Sequence, residues 1–190
     1  VMAKVSIIGT GTWGIALGMV LAQNGHEVTA WSALPKEIEA LRESYTCKNL
    51  PGVEIPRSIV FTADLQEACT DKEMLVLSVP SVFTRGVAKQ MNPFVKEGQL
   101  IVSVAKGIEE KTLMTMSQQI EEELPMANVA VLSGPSHAEE VSRGIPTTVV
   151  AGAKDRQTAE HIQNLFMSSV FRVYTSPDIL GIELGGALKN

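Results

Sequence analysis

Short apolar runs recur along the chain and alternate with segments whose apolar residues return at helical spacing. The runs predict strands at residues 4–8, 27–31, 59–62, 74–79, 100–104, 129–132, 147–151 and 171–174. The run at 74–79 is continuously apolar, which is typical of a parallel strand buried on both faces. The helical spacing predicts helices at 12–24, 35–45, 81–91, 112–124 and 159–166. This alternation predicts an α/β fold with a doubly wound, mostly parallel sheet.

Local signals support several of these boundaries. Gly25 follows the first predicted helix and suits the left-handed backbone that ends many helices. Asp64 precedes a short helical segment and suits its N-cap. Residues 179–190 predict a further helix that has no stop signal before the last residue. We therefore expect one α/β domain over residues 1–177 and the first turns of a second, helical domain over residues 178–190.

The composition narrows the class of protein. Of the 190 residues, 45% are hydrophobic and 19% are charged, which is an ordinary balance for a globular protein. The net charge of −5 argues against broad binding to nucleic acid or to anionic membranes. No apolar run approaches the roughly 20 residues of a membrane span, and the N-terminal residues do not have the pattern of a signal peptide.

The residue types that bind metals are scattered. Cys47 and Cys69 have no metal-ligand spacing and no neighbouring histidine, so we expect two reduced thiols in a cytoplasmic protein. The three histidines lie far apart along the chain, and we expect no metal site.

A glycine-rich turn joins the first predicted strand to the first predicted helix. Residues 9–14 have the spacing G-x-G-x-x-G, in which Gly9 permits a tight turn and Gly11 lets the backbone approach a phosphate. Gly14 lets the helix pack closely on the strand. The free N–H groups of the first helical turn and the helix dipole then favour an anion. This pattern predicts the pyrophosphate site of a Rossmann-type dinucleotide-binding domain, and a purely structural turn is the alternative.

Two further side chains stand at the carboxyl ends of predicted strands, where open α/β sheets bind their ligands. Ser81 follows Pro80 after strand 74–79 and is either a helix N-cap or a ligand contact. Lys106 follows strand 100–104 and precedes Gly107, and a cation there can hold a phosphate or a substrate oxygen. The alternative for Lys106 is an ordinary solvated surface charge.

A fourth strand end, after residues 129–132, carries Gly134 and a helix-start signal. Ser136 and Glu139 have the S-x-x-E spacing of a capping box, which starts a helix and can present its free N–H groups to an anion. His137 is a candidate proton carrier, although a lysine near the end of the chain is the better one.

That lysine is Lys189, and two adjacent glycines lie shortly before it in the sequence. Gly185 and Gly186, inside a helix, each cost about 1 kcal/mol relative to alanine. They lie four and three residues before Lys189 and on its face of the helix, so they clear space beside it. Tight packing against another helix is the alternative reason for the pair. A lysine in a partly dry cleft loses its proton more readily and can act as a general base.

The residues that would contact the ribose of a dinucleotide are less defined. An NAD site usually offers an acidic residue at the end of the second strand. That strand ends here at Trp31 and continues into Ser32 and Ala33, with no acid and no arginine. Ser32 and Lys36 can tolerate a 2′-phosphate, whereas Glu37 lies inside the next predicted helix and is a poor ribose ligand. The sequence therefore favours NADP, or the use of both cofactors.

Taken in order, these motifs resemble those of the bacterial-type NAD(P)-dependent glycerol-3-phosphate dehydrogenases. The resemblance extends from Lys4 to Asn190 and so covers nearly the whole chain. The matching stretches are residues 9–14, 24–28, 50–52, 78–81, 105–107, 134–138 and 183–190. Each motif is modest alone, but the ordered set is highly specific.

The resemblance implies an enzyme that interconverts dihydroxyacetone phosphate and sn-glycerol 3-phosphate with NAD or NADP, and that supplies glycerophospholipid synthesis. It implies a small phosphorylated substrate, no nucleic-acid partner, no membrane insertion and a homodimer of the full-length enzyme. Hydride transfer from the substrate carbon to the nicotinamide is the chemistry that the cofactor carries.

The resemblance also assigns roles to individual residues. It implies that Thr12, Trp13 and Ala138 contact the cofactor. For the glycines of the turn, Ser32 and Ser81, the local patterns described above already indicate such contacts. Lys106 would contact both cofactor and substrate. Gly134 and Ser136 would contact the substrate, and Lys189 would accept the proton when the alcohol is oxidised.

Two departures from the family pattern affect these expectations. Family members usually carry an arginine two residues after the tryptophan that ends the second strand, and Ala33 takes that position here. The preference between NADP and NAD is therefore open. The helical substrate domain of the family is absent after Asn190, so we expect this chain alone to turn over weakly or not at all.

Two other functions remain as alternatives. One is a related 3-hydroxyacid dehydrogenase, whose family also places a glycine pair and a lysine late in the chain. The other is a catalytically silent nucleotide-binding module.

Overall fold

The fold was analysed in a computed structural model of the chain, which describes residues 2–135 and 137–188, with the side chains of the last two left out. Its eight strands are β1 (Lys4–Ile8), β2 (Glu27–Trp31), β3 (Val60–Thr62), β4 (Met74–Leu77), β5 (Leu100–Ser103), β6 (Asn128–Ser133), β7 (Thr147–Gly152) and β8 (Phe171–Ser176). Its helices are α1 (Thr12–Gln23), α2 (Pro35–Ser44), α3 (Leu65–Cys69), α4 (Thr84–Met91), α5 (Met116–Glu123), α6 (Ala138–Ser142), α7 (Arg156–Phe166) and α8 (Ile179–Leu188).

All eight strands form one sheet, in the order β3-β2-β1-β4-β5-β6-β7-β8. The six strands from β3 to β6 are mutually parallel, β7 runs antiparallel to β6, and β8 pairs in parallel with β7. The chain moves outward from β1 to β2 and β3 and then returns to β4 on the other side of β1. The doubly wound, mostly parallel sheet predicted from the sequence is therefore confirmed, and its topological switch point lies between β1 and β4.

The core lies on both faces of the sheet. Along β4, Met74 and Val76 belong to a buried apolar cluster that includes residues of α1, α2 and α7, whereas Leu75 and Leu77 belong to a second cluster with residues of α4 and α5. Successive side chains of a strand point to opposite faces, so a strand covered on both sides must be apolar throughout. This is the physical reason for the continuous apolar run in the sequence.

Most predicted elements are present, with ends that differ by one or two residues. Asp64 caps α3 by accepting hydrogen bonds from the backbone N–H groups of Gln66 and Glu67, as predicted. Gly25 adopts a φ of 89°, which is also as predicted. The helix segment 159–166 begins three residues earlier than predicted, since Asp155 caps it through the N–H of Thr158.

Two helix starts were wrong. The predicted helix 112–124 begins only at Met116, because Thr115 and Gln118 form a reciprocal capping box there and Leu113 adopts a left-handed φ of 61°. The predicted helix 81–91 begins with a 3-10 turn, Ser81–Phe83, and its α-helical part starts at Thr84. Ser81 makes no side-chain capping bond, so its predicted role as an N-cap is also wrong.

Both cysteines carry free thiols. Cys69 is buried at the end of α3, and this burial raises the pKa of its thiol to about 11 despite the positive charge of Lys72. A buried thiol with a raised pKa is a poor nucleophile, which gives Cys69 a packing role. Over the described part of the chain, no helix is both long enough and apolar enough to cross a membrane.

Two glycines let the turn between β1 and α1 pack against the end of β4. Gly9 adopts a φ of 119°, and a Cβ atom on it would lie 2.8 Å from the backbone nitrogen of Val79. A Cβ on Gly14 would overlap the hydroxyl of Ser78 and lie 2.5 Å from the carbonyl oxygen of Gly9. That hydroxyl donates a hydrogen bond to the same carbonyl at 2.9 Å. Glycine is therefore required at both positions by the protein itself.

The last helix, α8, is fixed to the rest of the domain by a charged side chain. Glu183 accepts a hydrogen bond from the backbone N–H of Ser117 at 3.0 Å and another from the Ser117 hydroxyl. Ser117 lies in the first turn of α5, where the helix dipole favours a negative charge. Ile182 of the same helix packs against Gly152 at the end of β7. A segment with no stop signal is thus anchored over the carboxyl end of the sheet.

We predict that Gly14→Ala lowers the free energy of unfolding by about 1–3 kcal/mol, the usual cost of forcing extra volume into a packed site. Gly86→Ala is the matched control, because a Cβ on this α4 glycine would meet no atom within 4 Å. It should be neutral or stabilising, as expected for alanine in a helix. Urea denaturation measures both changes. A Gly14→Ala variant as stable as the parent chain would contradict this account of the turn.

We predict that Glu183→Gln also destabilises the fold, by about 1–2 kcal/mol, because it removes the charge from two hydrogen bonds at a helix N-terminus. Glu110→Gln makes the same chemical change at an exposed position and should have no measurable effect. The comparison again uses urea denaturation. Equal stability of the two variants would remove the anchoring role of Glu183.

Candidate functional site

The loops that follow β1, β2, β4, β5 and β6 lie at one edge of the sheet, because these five strands are parallel. The candidate residues that the structure describes belong to these loops or to the helices that follow them. Three of the clefts that the described residues form at this edge contain these candidates.

The glycine turn presents the start of α1 to open space. Gly11 is the N-cap residue of α1 and has an ordinary extended backbone, with φ of −64° and ψ of 168°. No atom lies within 4 Å of where its Cβ would be. Neither conformation nor packing therefore requires glycine at this position, in contrast to Gly9 and Gly14. Since no side chain caps α1 and its first turn holds no acidic residue, the N–H groups remain directed at this space.

The first cleft runs from the glycine turn to the end of β2 and has a volume of about 500 Å³. Its lining is mainly apolar, with Leu34 and Phe83 on its exposed rim. The residues that line it are Gly9, Thr10, Gly11, Trp31, Ser32, Ala33, Leu34, Glu37, Val79, Pro80, Phe83, Gly86, Val87 and Gln90. Predicted cofactor residues from two separate motifs, the glycine turn and Ser32, therefore share one cleft.

Glu37 receives hydrogen bonds from two hydroxyl groups. Its carboxylate accepts a hydrogen bond from the Thr10 hydroxyl at 2.5 Å and one from the Ser32 hydroxyl at 3.2 Å. The residue is in the first turn of α2, where side chains point back toward the start of the helix and over the end of β2. Glu37 therefore lies within the predicted helix, and its carboxylate reaches back to the end of β2 beside the glycine turn.

The second cleft brings together residues from the ends of three strands. It is lined by Val79, Pro80, Ser81, Val104, Ala105, Lys106 and His137. Ser81 and Lys106, selected from separate motifs, thus line one space. Gly107 adopts a φ of 135° and lies close to Ser81, so this glycine lets the loop after β5 approach the loop after β4.

The ammonium group of Lys106 is held at the base of α8. It donates a hydrogen bond to the carbonyl oxygen of Gly134 at 2.8 Å. A Cβ on Gly186 would lie 3.5 Å from the Ser133 hydroxyl and 3.6 Å from Cγ of Lys106, whereas Gly185 faces open space. Gly186 therefore packs against Lys106. Lys189 and Ser136 lie outside the described residues.

The third cleft lies on the other side of the glycine turn. Thr12, Trp13 and Ala138 line it together, as do Asn49, His137, Glu139, Glu140, Arg143 and Ile145. Three of the residues that the family resemblance assigned to the cofactor thus face one space.

The predicted capping box lies at the start of α6. The N-cap residue of α6 is His137, and it makes no side-chain capping bond. Glu139 instead pairs with Arg143 at 3.0 Å, one helical turn along. Ser136, the first residue of the predicted box, lies outside the described residues, so the box stays a prediction.

An arginine that the sequence analysis did not select fixes the loop carrying Lys106. Arg85 of α4 donates two hydrogen bonds to Glu109, at 2.8 and 2.9 Å, and pairs with Glu122 and Glu123 of α5. The Arg85 guanidinium holds the pKa of Glu109 at about 2, well below its usual range, and the Thr112 hydroxyl adds to this effect. The network ties together α4, α5 and the loop that follows β5.

The carboxylates of the described residues do not gather into a metal site. Among these residues, no group of three or more histidine, cysteine, aspartate or glutamate side chains is placed to hold a metal ion. Glu37, Glu109 and Glu183 are engaged instead with hydroxyl groups, with an arginine and with a helix N-terminus, respectively.

Relatives of known function match the chain over its whole length. It is 62% identical to the glycerol-3-phosphate dehydrogenase (NAD(P)+) of Agathobacter rectalis over 190 residues, which is 100% of this chain and 56% of that protein. It is 53% identical to the enzyme of the same name from Fusobacterium nucleatum, over 100% of this chain and 57% of that protein. The chain therefore spans little more than half the length of these relatives.

Solved structures agree with this relationship. A crystal structure of glycerol-3-phosphate dehydrogenase from Coxiella burnetii superposes with a TM-score of 0.92 and 28% identity, over 97% of this chain and 57% of that one. A ketopantoate reductase from Ralstonia eutropha superposes with a TM-score of 0.71 at 20% identity, which is a likeness of fold alone.

The family model described as the N-terminus of NAD-dependent glycerol-3-phosphate dehydrogenase matches residues 4–159. This range includes the glycine turn, Lys106, Gly134 and Ala138. The chain belongs to the family of NAD-dependent glycerol-3-phosphate dehydrogenases, of which it represents the N-terminal, Rossmann-type part.

Proposed function

We propose that this chain is the dinucleotide-binding part of an enzyme that interconverts sn-glycerol 3-phosphate and dihydroxyacetone phosphate. The observation that carries the proposal is the open space in front of Gly11. A glycine that neither backbone strain nor packing explains, at the start of an uncapped helix, fits the close approach of a pyrophosphate.

The residues at the three clefts fit the parts of NAD(P). We assign the pyrophosphate to the turn formed by Gly9, Gly11 and Gly14, and the adenosine end to the apolar cleft that contains Ser32. Thr12, Trp13, Ser81, Lys106 and Ala138 would contact the remainder of the cofactor. When bound, NAD(P) accepts or supplies the hydride.

The polar groups beside Lys106 fit a small phosphorylated substrate. Lys106 supplies a positive charge, and its hydrogen bond to Gly134 fixes where that charge lies. We assign substrate contacts to Lys106, Gly134 and Ser136. We further propose that Lys189 takes the proton from the C2 hydroxyl as the alcohol is oxidised, and that it returns this proton in the opposite direction.

The wider setting follows from the family. We propose that residues 1–177 form the cofactor domain and residues 178–190 the first turns of a helical substrate domain. We also propose that the complete enzyme is a cytoplasmic homodimer that acts on free phosphorylated substrate for glycerophospholipid synthesis. The relatives share this chemistry by name, and the other fold neighbours offer no specific support for a hydroxyacid substrate. A nucleotide-binding module without activity would bind NAD(P)H and give no turnover in a full-length chain.

We predict that Gly11→Asp weakens NADH binding at least tenfold, corresponding to about 1.4 kcal/mol, because it puts bulk and negative charge where the pyrophosphate would lie. Aspartate is a favourable N-cap residue, so stability should be kept. Trp13 and Trp31 both line clefts at the turn, and fluorescence titration of the chain therefore reports binding. Ala40→Asp adds the same charge at an exposed position of α2 and should leave affinity unchanged. Full NADH affinity in the Gly11→Asp variant would refute the glycine-turn site.

We predict that Lys106→Met, which keeps the aliphatic stem and removes the charge, weakens binding of sn-glycerol 3-phosphate about tenfold or more in the NADH-saturated chain. Isothermal titration calorimetry measures this affinity. Lys111→Met is the matched control, since Lys111 is an exposed residue of the same loop. An equal loss of affinity for sn-glycerol 3-phosphate in both variants would argue against substrate binding at Lys106. The same holds if the parent chain does not bind this compound.

A further inference from the structure

The carboxylate of Glu37 lies where β2 ends, next to the glycine turn. It receives hydrogen bonds from Thr10 and Ser32, two buried residues that are themselves part of the loops after β1 and β2. These bonds hold the carboxylate in one orientation although the side chain is only half-buried. The carboxylate of Glu37 therefore lies where a side chain at the end of β2 would lie, although Glu37 itself belongs to the first turn of α2.

Glu37 gives a negative charge to the first cleft, to which we assign the adenosine end of the cofactor. Among the described residues that line this cleft, Glu37 is the one ionisable side chain. The nearest cations on the same helix are directed elsewhere or stand outside the lining. Arg42 donates both of its hydrogen bonds to the carbonyl oxygen of Phe61, and Lys36 is an exposed residue that does not line the cleft. Ala33, which does line it, contributes no charge.

A carboxylate in this setting distinguishes the two nicotinamide cofactors. It can accept hydrogen bonds from the free ribose hydroxyls of NAD, whereas NADP carries a phosphate of nearly two negative charges on the 2′ oxygen. With no cation in the cleft lining, that phosphate would meet a negative side chain already satisfied by two hydroxyl donors. We propose that Glu37 is the specificity-determining residue of the cofactor site and that it makes this chain selective for NAD over NADP.

The inference rests on the proposed function, because it presumes a dinucleotide at the glycine turn. It departs from the preference that the sequence suggested, which was for NADP or for both cofactors. The physical reason is that the acid is supplied by a helix: the first turn of α2 directs Glu37 back over Ser32.

The test compares dissociation constants for NADH and NADPH in the chain and in Glu37→Gln. Glutamine keeps the size of the side chain and removes its charge. We expect the parent chain to bind NADH more tightly than NADPH by roughly tenfold or more, the scale set by a carboxylate about 4 Å from a doubly charged phosphate in solvent. The ratio of the dissociation constant for NADPH to that for NADH should fall about tenfold in Glu37→Gln, chiefly because NADPH binds more tightly. Glu39→Gln makes the same change at an exposed position of α2 and should leave the ratio unaltered.

A measurement on the parent chain alone covers the case in which Glu37→Gln does not fold. Repulsion between charges in an open cleft is screened by salt, so the preference for NADH should shrink between about 0.03 M and about 0.5 M salt. ADP-ribose and its 2′-phosphorylated form serve as minimal probes, because they contain the adenosine end and lack the nicotinamide.

The outcomes separate the two proposals. Equal affinity of the parent chain for NADH and NADPH, a ratio unchanged in a folded Glu37→Gln variant, or a preference insensitive to salt would each overturn the role of Glu37 while leaving the dinucleotide site intact. Absence of binding to either nucleotide would instead overturn the proposed function.

Discussion

The close contact between the β1–α1 turn and the end of β4 is the constraint on which the rest of the site depends. Gly9 and Gly14 lie so near Ser78 and Val79 that no side chain fits between them. This contact holds the start of α1 at the switch point of the sheet, where the chain connections after β1 and after β4 lead to opposite halves of the sheet. The N–H groups of α1 therefore open into the space between the two halves, and the neighbouring loops form its walls.

Charged groups organise the other half of the site, and each is fixed by partners that satisfy it. Arg85 ties the loop carrying Lys106 to α4 and α5, with three carboxylates around one guanidinium. Glu183 joins α8 to the N-terminus of α5, which brings Gly186 against the stem of Lys106. Removing either anchor would free elements that hold Lys106. The geometry near this lysine thus depends on acidic residues that need not contact any ligand themselves.

The reasoning from sequence was most accurate where the signal is local. The bounds of β1 and β2, the cap at Asp64 and the left-handed Gly25 follow from patterns a few residues long. The predictions were less accurate where a short sequence pattern is compatible with more than one local structure. The apolar spacing at 112–124 is compatible with a helix throughout, but the capping box at Thr115 starts that helix later. Placing Glu37 in a helix was correct, yet it did not reveal the direction of the side chain.

The order of the elements, the double covering of the sheet and the glycine turn between strand and helix can all be predicted from the pattern of residues along the chain. These properties depend on the spacing of apolar residues and on the backbone conformations that single residues favour. Both can be recognised within a short stretch of sequence. The packing of the whole domain is needed to show which glycine faces open space and which charges meet. Glu37 lies 27 residues from Thr10, and Glu183 lies 66 residues from Ser117. Such contacts arise when the sheet brings distant strand ends to one edge, and no local pattern encodes them.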